Sequence, residues 1–274
     1  GDYSAKVIAK HQPMKFAAFE GLSVGQRGAP LVALGIVSSS PDDPNNENVK
    51  DFAFKIEIPN FLSYMAFQDF NAFIPGVKDL MEGNEEQGIM SATEKIFRGR
   101  LAIDALAEYK AAKKTGDEIK QSEAQKVLDE NFRYFGYGYF ENNPQGLVPN
   151  LPLTFYSFHI MVMLGFWFLV FFALILLLVY KNRISTSRFW LKIAIMNIPL
   201  AYIASQSGWI TAEMGRQPWV IQDLMPTMAA VSKLDSGAVV VTFVLFALIF
   251  TTLLIAELRI MFRQIKNGPK PGGN

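Results

Sequence analysis

One uninterrupted apolar stretch limits what this chain can fold into. Leu151 to Tyr180 contains no Lys, Arg, Asp or Glu, and it exceeds the ~20 residues that a helix needs to cross a bilayer. It predicts a membrane-spanning helix that tilts or projects beyond the membrane. Two more spans are predicted. One runs from Phe189 to about Gly215, with Pro199 as a kink, and the other from Gly237 to about Phe262, with Asp235 as its cap.

The composition of the whole chain is mixed, and it excludes several classes of protein. Overall, 50% of the residues are hydrophobic and 19% are charged, with a net charge of +1, which argues against a nucleic-acid partner. The absence of cysteine excludes thiolate metal sites, disulfides and covalently attached c-type haem. Only two histidines are present, His11 and His159, which is too few for a haem–copper oxidase core.

The segment before the first span combines strand and helix signals. The apolar run Leu31 to Val37, followed by alternating Phe52, Phe54, Ile56 and Ile58, predicts a small hairpin with Pro41 to Asn46 as its loop. A capping box at Ser91 opens an amphipathic helix that Gly116 closes. Asp117 is placed to cap a second amphipathic helix, and the two are predicted to pack together.

Basic residues predict the orientation in the membrane. The cluster after the first span consists of Lys181, Arg183, Arg188 and Lys192. The cluster after the third span consists of Arg259, Arg263, Lys266 and Lys270. Only two cations, Arg216 and Lys233, lie in the short segment between the second and third spans, on the opposite side of the predicted membrane. Short segments rich in Lys and Arg stay in the cytoplasm. We therefore expect residues 11–150 to be extracytoplasmic and the C-terminus to be cytoplasmic.

An ionisable pair lies near the end of the second span. Glu213 and Arg216 are spaced i, i+3, which puts them on one side of a helix, and Trp209 and Trp219 flank them as rings at a membrane boundary would. Ionisable groups in a membrane are costly and usually functional. Two interpretations stay open at this point: a cofactor-facing pair, or a structural ion pair at a helix end.

A second candidate site precedes the hairpin, in the run Gln12-Pro13-Met14-Lys15-Phe16-Ala17-Ala18-Phe19-Glu20. A helix that begins at Pro13 puts Gln12, Phe16 and Glu20 on one face. Lys15 and Glu20 are about 140° apart around that helix, so they cannot be assumed to touch the same group of a ligand. The alternative is an ordinary surface turn.

Three stretches, taken together, resemble one family. Gly208 to Trp219 reads GW-x-x-AE-x-GRQPW and is similar to the end of the eighth transmembrane helix in subunit I of cytochrome bd-type quinol oxidases. The Gln12 to Glu20 run resembles the start of the quinol loop of that subunit, and Phe158-His159-Ile160-Met161 resembles its haem-binding seventh helix. The order of the three motifs is the same as in the family.

The resemblance implies an all-α membrane protein with three transmembrane helices, preceded by a large extracytoplasmic loop that contains the small hairpin and the amphipathic helices. The chain would be the C-terminal half of the subunit. Its expected parts are the end of a preceding helix (1–10), the quinol-loop region (11–150), the three-helix haem-binding region (151–263) and a cytoplasmic tail (264–274).

The resemblance also assigns roles to individual residues. Met161 would be the axial ligand of the low-spin haem b, and Glu213 would serve the high-spin pair of haem b and haem d, with Trp209 and Arg216 beside it. Lys15 and Glu20, with Gln12, would form the quinol site. His159 stands where the family pattern has Arg. Because His159 and Met161 are about 200° apart on a helix, they cannot face the same iron.

The function implied is that of a terminal oxidase of the bacterial inner membrane. It would oxidise ubiquinol or menaquinol at the outer face, reduce oxygen to water and generate a proton-motive force. Expected partners are the N-terminal half of subunit I, subunit II, a small third subunit and membrane lipid. The alternative is a non-redox transporter or receptor with an extracytoplasmic domain, which would leave the three ordered motifs as coincidence.

Overall fold

The computed structural model describes residues 2–37, 52–183, 187–232 and 234–268. The predicted loop Pro41 to Asn46 lies outside these residues, as do Lys233 and Lys270. In chain order, the elements are α1 (Asp2–His11), α2 (Pro13–Glu20), β1 (Gln26–Arg27), β2 (Leu31–Val37), β3 (Phe52–Ile58), α3 (Phe61–Phe67), β4 (Phe73–Ile74), α4 (Val77–Glu82), α5 (Ala92–Thr115), α6 (Glu118–Asn131), α7 (Leu151–Tyr180), α8 (Arg188–Met214), β5 (Trp219–Ile221), β6 (Met225–Pro226) and α9 (Ser236–Asn267). Short 3-10 helices occupy Phe132–Phe140, Pro144–Leu147 and Thr227–Ala229.

The long helices follow the predicted spans closely. α7 has the predicted bounds, α8 contains Pro199, and the Asp235 carboxylate accepts a hydrogen bond from the Gly237 amide at the start of α9. Pro144–Tyr180 and Ser236–Asn267 are the two helical stretches of the described chain that are long and apolar enough to cross a membrane. α8 is not one of them, since polar residues interrupt it, and the three-span count stays a prediction.

The largest difference between the predicted and the observed helix boundaries is at the C-terminal end. α9 continues to Asn267, past the predicted end of the span near Phe262 and into the predicted tail 264–274. Gly1–Ala230 forms one compact unit and Val231–Asn274, which contains α9, forms a second. The first unit crosses the predicted boundary between residues 150 and 151 because α2 packs against α7.

α7 and α8 pack side by side in opposite directions. Trp167 Nε1, near the middle of α7, donates a hydrogen bond to Asn197 Oδ1 at 2.6 Å. Near the N-terminal end of α7, the hydroxyls of Ser157 and Thr211 are 2.9 Å apart. These polar contacts satisfy side chains that would be costly to leave unpaired among apolar residues, so they fix how the two helices lie against each other.

The predicted hairpin and amphipathic helices are present. β2 and β3 pair antiparallel, with Leu34 opposite Ile56 and Ile36 opposite Phe54. The Ser91 hydroxyl caps α5 by accepting from the Glu94 amide, and Asp117 caps α6 in the same way through the Lys120 amide. α5 packs on α6 as predicted, and also on the 3-10 helix Phe132–Phe140.

Glycines allow α5 to cross this 3-10 helix at backbone distance. A Cβ at Gly99 would lie 2.4 Å from the Gly138 amide nitrogen, and a Cβ at Gly138 would lie 2.6 Å from the Gly99 carbonyl carbon. Trp219 is 5% exposed and belongs to the core cluster that also contains Phe140. The prediction that Trp219 marks a membrane boundary is therefore wrong, because protein rings rather than headgroups surround it.

Candidate functional site

The short helix α2 positions both halves of the candidate quinol site. Pro13 occupies its first turn, as predicted, and Gly21 ends it in the left-handed conformation with φ of 70°. Its C-terminal half is buried against α7, where the Phe19 and Phe158 rings have centroids 4.3 Å apart. Gln12 lies at the junction with α1, where its carbonyl accepts from the Phe16 amide.

Glu20 is the most unusual ionisable group in the described chain. Its side chain is 3% exposed, and its Oε2 has no hydrogen-bond partner among the described residues. Burial raises the pKa of Glu20 from 4.5 to about 8, because a carboxylate without water or a cation nearby is poorly stabilised. The carboxyl group is therefore mostly neutral at pH 7.

Glu20 lines a cavity of about 510 Å³ between the end of α2 and the hairpin. The other side of this cavity contains the polar face of β3, where Lys55 Nζ and Glu57 Oε2 form a salt bridge of 2.7 Å. We did not predict Lys55 and Glu57 as site residues. Their alternation with apolar residues along β3 shows that they share one face, but the sequence does not show that this face turns toward Glu20.

Lys15 points away from Glu20, toward the end of α8. Its ammonium donates to the Ala212 carbonyl at 3.1 Å, where a cation is favoured by the helix dipole. Burial and the nearby Arg216 lower the pKa of Lys15, and Glu213 opposes them. A Cβ at Gly215 would lie 3.3 Å from Lys15 Cε, so glycine leaves room for the lysine. The structure therefore brings Lys15 to the Glu213 segment and separates it from Glu20.

Glu213 and Arg216 form the ion pair that their spacing allows. Arg216 Nη2 lies 2.6 Å from Glu213 Oε2, and the two side chains are 43% and 40% exposed, respectively. A pair this exposed contributes about 0–1 kcal/mol, so both side chains can be redirected toward a cofactor at small cost. Trp209, which is 62% exposed on the same helix, leaves the surface beside the pair open.

Met161 lies against α8 at the level of Gly208. A Cβ at Gly208 would lie 2.9 Å from Met161 Sδ, so the glycine makes the space that the thioether fills. One turn further along α7, a Cβ at Gly165 would meet nothing within 4 Å. A thioether in apolar surroundings beside an open helix surface fits an axial ligand of a low-spin haem, whose flat ring needs such clearance.

The carboxylate of Glu213, half-exposed at the helix end, is an equally suitable donor for a second haem iron. Among the described residues, no group of three or more His, Cys, Asp or Glu side chains is placed to hold a bare metal ion. A haem iron takes only one or two ligands from the protein, so single donors such as the Met161 thioether and the Glu213 carboxylate could serve one.

His159 faces the hairpin instead of a cofactor. It is 7% exposed, with Nδ1 2.9 Å from the Phe155 carbonyl and Nε2 2.8 Å from the Val32 carbonyl. Both ring nitrogens are thus engaged by the backbone. His159 and Met161 point to different neighbours, as their angular separation predicts.

A mostly helical chain with two helical stretches long and apolar enough to cross a bilayer, among the residues that the structure describes, defines an α-helical membrane protein. Residues 1–269 match the family described as cytochrome bd terminal oxidase subunit I. The chain belongs to this family.

Relatives and a solved structure agree with this assignment. The chain is 30% identical to the cytochrome bd-II ubiquinol oxidase subunit 1 of Escherichia coli (strain K12), over 98% of this chain and 51% of the relative. It is 26% identical to the cytochrome bd ubiquinol oxidase subunit 1 of Bacillus subtilis (strain 168), over 98% of this chain and 44% of the relative. The fold resembles that of the bd oxidase from Geobacillus thermodenitrificans, with a TM-score of 0.58 and 23% identity over 98% of this chain and 45% of that chain. The chain therefore spans about half the length of the curated relatives it matches.

Proposed function

We propose that this chain is the C-terminal half of subunit I in a cytochrome bd-type terminal oxidase of the bacterial inner membrane. It carries the quinol site and supplies ligands to the haems, while the complex oxidises quinol at the outer face, reduces oxygen to water and builds a proton-motive force. The family match over residues 1–269, together with the buried carboxyl group of Glu20 beside a cavity, supports this function best.

Glu20 is the proton acceptor in this proposal. Oxidation of a quinol releases two protons, and a base with a pKa near the working pH accepts them most effectively. The pKa of Glu20, about 8, meets this requirement. Its Oε2, which has no partner within the described part of the chain, is placed to receive a hydrogen bond from a quinol hydroxyl in the cavity. Lys55 and Glu57 lie on the opposite wall of the cavity, where their salt bridge pairs the two charges with each other.

Lys15 has a different role from the one implied by the resemblance. Because its ammonium contacts the end of α8 at Ala212, it stabilises the Glu213 segment and supplies positive charge near the high-spin haem side. Glu20 and Lys15 thus act at two ends of α2, one on the substrate and one on the cofactor region. Gln12 lies at the junction where α2 is set at its angle to α1.

Met161 and Glu213 are the proposed iron ligands, and Arg216 and Trp209 hold the surroundings of Glu213. When bound, the low-spin haem b, high-spin haem b and haem d supply electron transfer and oxygen reduction. The thioether favours the reduced state of its iron, and the carboxylate supplies negative charge. The remaining ligands come from the N-terminal half of the subunit, and the complex includes subunit II and a small third subunit.

Both ubiquinol and menaquinol are open as substrates. One relative is named a ubiquinol oxidase subunit, and another, 25% identical over 98% of this chain and 44% of the relative, a putative menaquinol oxidase subunit of Bacillus subtilis (strain 168). The competing function, a non-redox transporter or receptor, explains the spans but not the Met161 and Glu213 positions. A reduced-minus-oxidised spectrum of membranes that contain the whole complex distinguishes the two, since haem b and chlorin bands occur only in the oxidase.

The quinol site is tested with Glu20→Gln, which keeps the shape of the side chain and removes the proton acceptor. We expect a loss of quinol-driven oxygen uptake of about tenfold or more, while an artificial donor that reduces the haems directly supports the normal rate. Glu57→Gln is the matched control, because it removes a carboxylate from the same cavity that is already paired with Lys55. Equal losses with both donors would contradict the role of Glu20.

A further inference from the structure

The hairpin β2–β3 has one apolar face that nothing in the described chain covers. Leu34 and Ile36 on β2 face Ile56 and Phe54 on β3, and these four side chains are 44% to 57% exposed. Four such side chains together form a patch that a water-exposed hairpin would not normally keep. We refer to Leu34, Ile36, Phe54 and Ile56 as the hairpin patch.

The opposite face of the same hairpin is polar. Lys55 and Glu57 alternate with the patch residues along β3, form a salt bridge and line the cavity beside Glu20. Since successive side chains of a strand point to opposite faces, the hairpin has a polar side toward the cavity and an apolar side away from it. An antiparallel hairpin of this kind usually has its apolar face covered, so either protein or lipid is expected on the patch.

Two hydrogen bonds hold β2 at a defined level of α7. The Tyr156 hydroxyl accepts from the Val37 amide at 2.9 Å, and His159 Nε2 lies 2.8 Å from the Val32 carbonyl. The apolar run of α7 ends at Tyr180, before Lys181. About 20 residues counted back from that end fill the hydrocarbon core, so the other boundary of the core lies near Met161. Tyr156 and His159 are therefore at the headgroup level.

The strand also crosses α7 instead of following it. Val32 and Val37 are separated by about 16 Å of extended strand. Their two partners on α7, His159 and Tyr156, are separated by only about 4.5 Å of helix axis. A strand fixed in this way runs closer to the membrane plane than to the membrane normal. The hairpin thus lies along the surface of the membrane at the depth of the headgroups.

We propose that the hairpin patch is seated on the acyl chains of the leaflet at the N-terminal end of α7, with phospholipid as its occupant. The contacts of Val32 and Val37 hold the hairpin beside α7 at this depth, and Tyr156 is the kind of ring that favours the interface. The hairpin is an interfacial anchor that holds the Glu20 cavity at the membrane surface. This inference requires α7 to cross the membrane but not the redox function.

Site-directed spin labels test the depth of each face. The chain contains no cysteine, so Phe54→Cys and Ile56→Cys each introduce one labelling position on the patch. Lys55→Cys and Glu57→Cys on the same strand report the polar face. The assembled complex, with cysteines of its other polypeptides replaced, is reconstituted in phospholipid nanodiscs. Collision of each nitroxide with oxygen and with a water-soluble nickel chelate is then measured.

We expect labels at 54 and 56 to collide several-fold more with oxygen, relative to the chelate, than labels at 55 and 57. Chelate access at 54 and 56 equal to that at 55 and 57 would overturn the proposal by placing the patch in water. Shielding of 54 and 56 from both reagents would also overturn it, since protein rather than lipid would then cover the patch. Leu34→Cys and Ile36→Cys on β2 replace either variant that fails to assemble.

Discussion

The buried carboxyl group of Glu20, whose Oε2 has no hydrogen-bond partner among the described residues, leads to a quantitative prediction for the free energy of unfolding. A group with a pKa of about 8 in the folded chain, against an ordinary value of 4.5, resists ionisation that the unfolded chain permits. Below pH 4.5 both states are protonated and Glu20 costs nothing. Between pH 4.5 and pH 8, Glu20 ionises in the unfolded chain but stays protonated in the folded one, which favours the unfolded chain. The free energy of unfolding therefore declines from pH 4.5 to about pH 8 and is constant above that.

The size of the effect follows from the two pKa values. At about 1.4 kcal/mol per pH unit, raising the pKa of Glu20 from 4.5 to about 8 corresponds to about 5 kcal/mol at pH 8. Glu20→Gln stays neutral at every pH and avoids this cost, although its amide leaves a buried donor unpaired at about 1–3 kcal/mol. The difference in stability between variant and wild type should therefore change by about 5 kcal/mol between pH 4.5 and pH 8.

Thermal unfolding of the assembled complex in detergent, at one scan rate and several pH values, measures this difference. At about 2 °C per kcal/mol, the melting temperature of Glu20→Gln should gain about 10 °C on wild type over the window. Glu57→Gln, at an exposed site paired with Lys55, is the control and should follow wild type. If wild type is as insensitive to pH as Glu20→Gln, then Oε2 has a partner from outside this chain and the reasoning fails.

Three further predictions concern the haem side of the site. Met161→Leu keeps volume and apolarity, so the complex should assemble but lose the low-spin haem bands; an unchanged low-spin spectrum would refute the ligand role. Lys15→Met should disturb the high-spin bands as well as quinol-driven turnover, because Lys15 contacts the Glu213 segment; loss of turnover with all bands intact would return it to the quinol site. Glu213→Ala should reduce the high-spin bands more than Glu213→Gln does. If Glu213 served only the exposed ion pair with Arg216, its loss would cost about 0–1 kcal/mol and leave the haem content per folded protein unchanged, which would refute the ligand role.

The helices were predictable because the residues that determine where each helix begins and ends lie within or next to it in the sequence. The lack of charge from Leu151 to Tyr180 gives the whole of α7, and side chains at Ser91, Asp117 and Asp235 cap the helices that follow them. The alternation in β3 likewise predicts the hairpin. All of these signals act over a few residues, through helix capping, turn chemistry or side-chain period, so no knowledge of tertiary contacts is needed to use them.

The partners of the site residues were not predictable in the same way. Lys15 finds its acceptor at Ala212, 197 positions along the chain, and His159 finds Val32 127 positions back. Helical period shows which residues share a face with Glu20, but not that this face is buried without a donor. Trp219 was misplaced for a related reason, since an aromatic ring suits a lipid boundary and a protein core equally well, and only tertiary packing decides between them.

The resemblance places Lys15 and Glu20 in one quinol site, whereas the geometry of α2 directs them to two different clusters. Five residues of helix turn the chain by about 140° from Lys15 to Glu20, which directs the lysine to α8 and the glutamate to the hairpin. A helix of eight residues, buried along α7 and ended by Gly21, is too short to bend appreciably. Substrate bound at Glu20 and a haem at Glu213 would therefore share one rigid support. In the proposed function, proton acceptance by Glu20 lies on one side of α2 and charge compensation by Lys15 on the other. A change that shifts α2 as a body, such as enlarging Gly21 against Phe52 and Phe155, should therefore alter both quinol-driven turnover and the high-spin haem bands. Glu20→Gln should alter only the turnover.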